Sequence, residues 1–134
     1  MSSIFTRIIQ GEIPAYKVAE NDDFIAILDV FPLVEGNVLV IPKKEVDNIF
    51  DLEPEGLQQL FGFSQTVAKA IEASYDCKKV GMAVIGLEVP HAHIHLLPIN
   101  DAGDINFTKP KLQLTVSQLT EIQDKLRLAL KISL

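Results

Sequence analysis

The sequence predicts an α+β fold, in which an antiparallel sheet of about five strands packs against one long central helix and a C-terminal helix. Short apolar runs occur both before and after a single long amphipathic segment, and strands and helices do not alternate as they do in βαβ folds. The chain has 134 residues and contains no internal repeat or linker-like tract. Residues 1–134 are therefore expected to form one domain.

Local patterns define the expected elements in order. A short first helix is predicted over Ile4–Ile9. The expected strands are Tyr16–Ala19, Phe24–Leu28, Val38–Ile41, Val80–Ile85 and His91–Ile99. Leu52–Tyr75 has apolar side chains at i, i+3, i+4 and i+7, which is typical of an amphipathic helix. Asp101–Lys111 is a polar loop, and Thr115 with Gln118 has the spacing of a capping box that begins the final helix.

Composition and charge exclude several classes of function. The chain has 12 basic and 18 acidic residues and a net charge of −6, so it lacks the basic excess expected of a protein that binds a nucleic acid polymer. A small phosphorylated ligand is compatible with this charge. No apolar run approaches the ~18 residues of a membrane span. Cys77 is the single cysteine, and a cytoplasmic location is expected.

All three histidines lie between residues 91 and 95, in the run HAHIHLL. The period of two in a strand puts their imidazoles on one face and turns Ala92 and Ile94 toward a core. Three interpretations follow: a polar face that collected histidines by chance, a metal site, or nucleophilic catalysis at phosphorus. At ~3.3 Å per residue, His91 and His95 begin roughly 13 Å apart, which disfavours one ion bound by all three. A neutral imidazole can attack a phosphoryl centre while its neighbours orient it and donate protons.

The run HAHIHLL resembles the H-φ-H-φ-H-φ-φ signature of the histidine triad (HIT) superfamily, where φ is apolar. The upstream segments LDVFP and GNVLVIPKK are similar to that family in order and spacing, so the resemblance covers roughly residues 3–99. It implies a homodimeric, Hint-like nucleotide hydrolase or transferase that needs no cofactor. Such an enzyme cleaves nucleoside phosphoramidates or related conjugates through a nucleotidyl-histidine intermediate.

The resemblance also implies a set of site residues around a purine nucleotide or nucleotide conjugate. His93 would be the nucleophile, and His91 and His95 would orient it and contact the phosphate. Asp29 would bind the ribose hydroxyls. The remaining substrate-binding candidates are Phe5, Ile9, Phe24 and Leu28 around the base, and Asn37 and Glu88 near the phosphate.

Several positions depart from the family pattern. Asn37 stands where many members have histidine, and an amide cannot change its charge near pH 7. Glu88 follows Leu87 in a shortened segment before the triad, where its carboxylate would repel a phosphate unless it points away.

Other members carry zinc ligands at positions that correspond to Ser3, Thr6 and Glu45, so no structural zinc is expected. Three alternatives stay open: a dinucleoside polyphosphate hydrolase, a nucleotide-binding regulatory module with little activity, and a metal-dependent hydrolase.

Overall fold

The structure is a computed structural model that describes the backbone of residues 2–133 and the side chains of residues 2–131. The helices are α1 (Ile4–Ile9), α2 (Pro54–Ser74) and α3 (Val116–Ser133). The strands are β1 (Lys17–Glu20), β2 (Phe24–Leu28), β3 (Val38–Pro42), β4 (Lys79–Ala83) and β5 (Ile94–Ile99). Short 3-10 turns lie at Ile49–Asp51 and Ala102–Ile105. All strand pairs are antiparallel, in the order β1-β2-β3-β5-β4, which confirms the predicted fold class.

The two faces of the sheet are buried by different elements. Alternate side chains of β2 point to opposite faces, and all five of its residues are buried. One face carries Phe24, Ala26 and Leu28 and forms the main core with α2 and α3. The other face carries Ile25 and Ile27, which pack with neighbouring strand residues around Phe5 of α1. Helices α2 and α3 therefore cover the face of the sheet that carries the main core, and α1 covers part of the opposite face.

Strand register brings the ends of three strands together at one place on the α1 side of the sheet. Leu39 of β3 lies opposite His95 of β5. The backbone N–H of Asp29 donates to the carbonyl oxygen of Asn37 at 3.1 Å, which extends the β2–β3 ladder by one pair. Asp29, Asn37, Leu39 and His95 consequently lie on the same face, because they follow the same strand parity.

The last strand is shorter than the sequence predicts, because β5 begins at Ile94 and not at His91. Pro90 has no N–H, and the next two backbone donors bond outside the sheet. The N–H of His91 donates to Val89 O at 2.8 Å, and that of Ala92 donates to Val46 O at 2.6 Å. His91 and His93 therefore lie in a bent segment that enters the strand, and the expectation of three histidines along one regular strand is wrong.

The helices agree more closely with their sequence signals. Thr115 N–H donates to Oε1 of Gln118 at 2.8 Å, and Gln118 N–H donates to Oγ1 of Thr115 at 3.1 Å, so the predicted capping box begins α3. Among residues 2–133, no helix combines the length and the apolar character needed to cross a membrane.

Gly36 closes the loop that leads from Asp29 to Asn37, and its φ is +93°. A Cβ at this position would lie 2.8 Å from Cε2 of Tyr75. Gly36→Ala is expected to lower the free energy of unfolding by about 2–4 kcal/mol, since left-handed backbone and steric overlap each cost about 1–2 kcal/mol. Urea denaturation measures this loss.

Gly11→Ala is the matched control, because Gly11 has a φ of +82° but no atom within 4 Å of an added Cβ. It should lose only the backbone contribution of about 1–2 kcal/mol. Equal losses in the two variants would contradict the importance of the Tyr75 contact.

Candidate active site

His91 is fully buried and is held at both of its ring nitrogens. Nε2 lies 2.7 Å from the carbonyl oxygen of Pro42, and Nδ1 lies 2.6 Å from Oγ of Ser3. A carbonyl oxygen can only accept, so Nε2 carries a proton and donates to Pro42. These two bonds fix the orientation of His91 and leave it no free nitrogen. The expectation that His91 contacts the phosphate directly is therefore corrected to a supporting position behind the site.

His93 is tied to the backbone of the same segment. Its Nδ1 lies 2.8 Å from the main-chain oxygen of His91. This nitrogen must donate, so Nε2 of the neutral ring keeps its lone pair free. Phe5 packs edge-on against His93 and His91, with ring centroids 4.9 and 5.7 Å apart. Burial lowers the pKa of His93 below its ordinary value of 6.5, despite the opposing effect of the bond to His91.

His95 lies beside His93, with their ring centroids 5.1 Å apart. Its other neighbour is Phe107, at 4.7 Å between centroids. Burial lowers the pKa of His95 to about 4, and the charges of His93 and Lys111 act in the same direction. Both rings are consequently neutral at pH 7, which is the form in which an imidazole can act as a nucleophile at phosphorus.

A cavity of about 380 Å³ opens in front of His93 and His95. Asp29 stands on its wall and accepts a hydrogen bond from the N–H of Phe31 at 3.0 Å. Burial raises the pKa of Asp29, and the bond from Phe31 and the charge of Lys111 oppose that rise. The complete lining is Asp29, Phe31, Leu39, Ile85, Gly86, Leu87, Glu88, Val89, His93, His95, Phe107 and Lys111. The structure thus brings Asp29, Glu88, His93 and His95 together around one cavity.

The four residues expected around the base are elsewhere. Phe5 and Ile9 pack behind the histidines, on the apolar cluster of the α1 face, and do not line the cavity. Phe24 and Leu28 lie in the main core, where Phe24 contacts Phe63 at 5.6 Å between centroids. Their strand parity is opposite to that of Asp29, so they point through the sheet and away from the site. These placements correct the predicted base pocket.

The sequence carries no signal for three other wall residues. Phe31 follows Asp29 in the loop before β3, and Phe107 and Lys111 belong to the polar loop after β5. The two loops are joined because the N–H of Leu112 donates to Pro32 O at 2.7 Å. Contacts between segments so distant along the chain leave no local pattern.

Asn37 is 2% exposed, and neither its Oδ1 nor its Nδ2 has a hydrogen-bond partner. Nδ1 of His95 is likewise buried without a partner. Strand register puts the two side chains diagonally across from each other on neighbouring strands. In the described part of the chain, these three are the buried side-chain nitrogen and oxygen atoms that lack a hydrogen-bond partner. All of the unsatisfied buried side-chain donors and acceptors therefore lie at this site.

The positions that correspond to a zinc site hold a hydrogen-bonded cluster. Oε1 of Glu45 accepts from the N–H of Ser3 at 2.6 Å and from the hydroxyl of Thr6 at 2.7 Å. These bonds, led by the one from Ser3, lower the pKa of Glu45 to about 2. Two hydroxyls replace the thiolates that zinc prefers, and His91 already uses both nitrogens, so the cluster does not fit zinc. Within residues 2–131, no group of three or more His, Cys, Asp or Glu side chains is placed to hold a metal ion.

The low pKa of His95 gives a testable pH dependence. An unfolded histidine titrates near 6.5, whereas His95 titrates at about 4 in the folded protein. Between these values the unfolded state binds more protons, so the free energy of unfolding falls as pH decreases from about 6.5 to about 4.

His95→Asn is expected to reduce that pH dependence, because asparagine does not titrate there. Urea denaturation of both proteins at several pH values measures the difference, and an NMR titration of the imidazoles reads the pKa directly. A His95 pKa at or above the unfolded value would contradict the description of a neutral His95.

Comparison with known proteins gives a consistent result. Residues 10–102 match the HIT domain family. The adenosine 5′-monophosphoramidase of Saccharomyces cerevisiae is 34% identical over 99 residues, which cover 73% of this chain and 63% of the yeast protein. A HIT-like protein from Bartonella henselae has a TM-score of 0.82 and 29% identity, with 96% of each chain covered.

A zinc-bound histidine triad family protein from Mycobacterium smegmatis has a TM-score of 0.81 and 27% identity, covering 99% of this chain and 96% of its own. The family match spans more than half of the sequence and includes the three histidines whose geometry is given above. The chain therefore belongs to the HIT, or histidine triad, family.

Proposed function

We propose that this protein is a nucleotide hydrolase or transferase that cleaves nucleoside phosphoramidates or related nucleotide conjugates. The observation that carries the proposal is the bond from Nδ1 of His93 to the His91 carbonyl, because it leaves Nε2 of a neutral His93 as a nucleophile in a cavity that also holds Asp29. The similarity to the yeast adenosine 5′-monophosphoramidase supports the substrate class.

The proposed chemistry has two displacements at phosphorus. Nε2 of His93 attacks the α-phosphorus, a nitrogen–phosphorus bond forms, and the bond to the leaving group breaks as that group takes a proton. Water then attacks the phosphorus of the nucleotidyl-histidine and the nitrogen–phosphorus bond breaks. The proton lost by the water replaces the one given to the leaving group, and the nucleoside monophosphate and neutral His93 are released. No metal or cofactor takes part in either step.

The surrounding residues have separate roles in this proposal. Asp29 accepts hydrogen bonds from the ribose hydroxyls, and Phe31 and Leu39 provide apolar walls for a purine base. The lowered pKa of His95 keeps its ring neutral at pH 7. His95 therefore binds the phosphoryl group through a hydrogen bond and not through a positive charge.

Asn37 is buried beside His95 and does not line the cavity, so the expected direct contact with substrate is corrected to a place behind His95. Its amide cannot supply a proton near pH 7. Protonation of the leaving group therefore falls to His95 or to the substrate, since His91 uses both of its nitrogens and His93 is the nucleophile.

One alternative has a specific observation in its favour. Glu88 places a carboxylate on the cavity wall, and Asn37 provides no titratable group. Both features fit a regulatory module that binds a nucleotide and turns it over slowly. Dinucleoside polyphosphates are the alternative substrates within the hydrolase class, and a metal-dependent hydrolase predicts inhibition by chelators.

The proposal is tested with an adenosine phosphoramidate, a diadenosine polyphosphate and an acyl-adenylate as substrates. The wild type is expected to cleave the phosphoramidate with the highest kcat/KM. His93→Ala should lower that value by about a thousandfold or more, because the nucleophile is removed. EDTA should leave the rate unchanged.

Equal rates for the wild type and His93→Ala on all three substrates would overturn the proposal. Binding of AMP without turnover would instead identify the regulatory module. Asn37→His serves as a companion variant that adds a titratable group beside His95. It is expected to raise the rate more for amine than for phosphate leaving groups. An unchanged rate with both would show that residue 37 does not affect protonation of the leaving group.

We also propose that the protein is a homodimer joined along β4. This strand is an outer strand of the sheet, and its end carries exposed apolar side chains at Met82, Val84 and Ile85. The opposite outer strand, β1, is covered, because Gln123 and Arg127 of α3 donate to Lys17 O at 2.9 and 2.8 Å. An uncovered apolar edge is the one suited to pairing with a second copy.

Analytical ultracentrifugation at micromolar concentration should give the mass of a dimer. Met82→Asp should shift the protein toward monomer, since it introduces a charge at the proposed interface. Leu128→Asp is the matched control, because Leu128 is an exposed apolar residue on α3 and away from β4. A monomeric wild type would contradict the dimer.

A further inference from the structure

The cavity in front of His93 poses an electrostatic problem for an anionic ligand. Asp29 and Glu88 place two carboxyl groups on its wall, and burial keeps His93 and His95 uncharged at neutral pH. A phosphate that entered would leave water and meet negative charge. Lys111 is the one lysine or arginine that lines the cavity in the described part of the chain.

The ammonium group of Lys111 is held in place by backbone oxygens. Nζ donates to Phe107 O at 2.6 Å and to Lys109 O at 3.1 Å. It also lies 5.7 Å from the centroid of the Phe107 ring, which contacts His95. An ammonium has three N–H donors, so one is left for a ligand. The charge of Lys111 lowers the pKa of both Asp29 and His95, which places it within electrostatic reach of both sides of the cavity.

The segment that carries Lys111, residues 106–112, is held by hydrogen bonds at both of its ends. Oδ1 of Asn106 accepts from the N–H and the hydroxyl of Thr108 at 3.0 and 2.6 Å, which forms a tight turn at its start. At its end, Leu112 N–H bonds to Pro32 O in the loop that follows Asp29. A cation on such a tethered segment loses little entropy when it binds an anion.

We propose that Lys111 is the cationic ligand for the phosphoryl group of a bound nucleotide. Residues 106–112 follow the part of the chain that matches the HIT domain, residues 10–102. The proposed cation therefore comes from a segment outside the matched region. The inference rests on the proposed function only in taking the ligand to be a nucleotide. If Lys111 has this role, its side chain favours ligands that carry a charged phosphate and does not contribute to the binding of the nucleoside.

Isothermal titration calorimetry with AMP and with adenosine tests the proposal. Lys111→Met should weaken AMP binding by about tenfold or more, since a charge-assisted hydrogen bond is lost, and should leave adenosine binding within about twofold. Lys111→Arg should retain most of the affinity for AMP. Added KCl should reduce the preference of the wild type for AMP over adenosine.

Lys109→Met is the matched control, because Lys109 is an exposed lysine of the same segment that does not line the cavity. Its charge lowers the pKa of Asp104 instead. It should bind both ligands like the wild type. Unchanged AMP affinity in Lys111→Met, or an equal loss for AMP and adenosine, would overturn the inference.

The two proposals fail separately. If the wild type cleaves the phosphoramidate and Lys111→Met binds AMP normally, the role of Lys111 is wrong and the proposed function stands. If Lys111→Met selectively loses AMP but the wild type cleaves no phosphoramidate, the role of Lys111 stands and the proposed function is wrong. A wild type that does not bind AMP overturns the role of Lys111.

Discussion

The hydrogen bond from Nδ1 of His93 to the carbonyl oxygen of His91 is the interaction on which the site depends. It selects the tautomer in which Nε2 of His93 holds a lone pair, and it fixes the plane of the ring. The carbonyl can do this only if His91 is itself immobile. Pro42 and Ser3 provide that immobility by bonding to both nitrogens of a ring that is fully buried. One unpaired buried donor or acceptor here would cost about 1–3 kcal/mol, so the arrangement is strongly determined.

The same requirement explains why the N-terminal helix belongs to the site. Ser3 is the N-cap of α1, where its Oγ accepts from the N–H of Thr6, and the same hydroxyl is hydrogen-bonded to Nδ1 of His91. Glu45, which follows β3, accepts hydrogen bonds from Ser3 and Thr6 and so fixes the start of α1 to the end of that strand. A set of hydrogen bonds thus holds together the helix end, the end of β3 and the first histidine, with hydroxyl and carboxylate groups that do not fit a zinc ion.

The features that the sequence predicts well are those with a local physical cause. The apolar period of Leu52–Tyr75 indicates helix α2, and the capping box at Thr115 indicates the start of α3. Short apolar runs bounded by turn residues predict the strands, and the run HAHIHLL predicts that His93 and His95 lie close together. Asp29 and Glu88 also line the cavity. The resemblance to the family assigns a role to Asp29, whereas Glu88 departs from the family pattern.

The features that the sequence does not predict have causes that are distant along the chain. The backbone bond from Ala92 to Val46 delays the start of β5 and moves His91 out of the strand. Phe24 and Leu28 are apolar and close to Asp29 in sequence, but one step of strand parity turns them to the other face of the sheet. Lys111 reaches the site because Leu112 bonds to Pro32, a pairing that no local pattern reveals.

Trapping the covalent intermediate tests the central claim most directly. The protein is mixed with an adenosine phosphoramidate, quenched within the first turnover under alkaline denaturing conditions, and examined by mass spectrometry of intact and digested protein. Nε2 of His93 as nucleophile predicts a single nucleotidyl group on the peptide that contains His93, and none on His93→Ala. Turnover without an adduct, or an adduct on a different residue, would contradict the account.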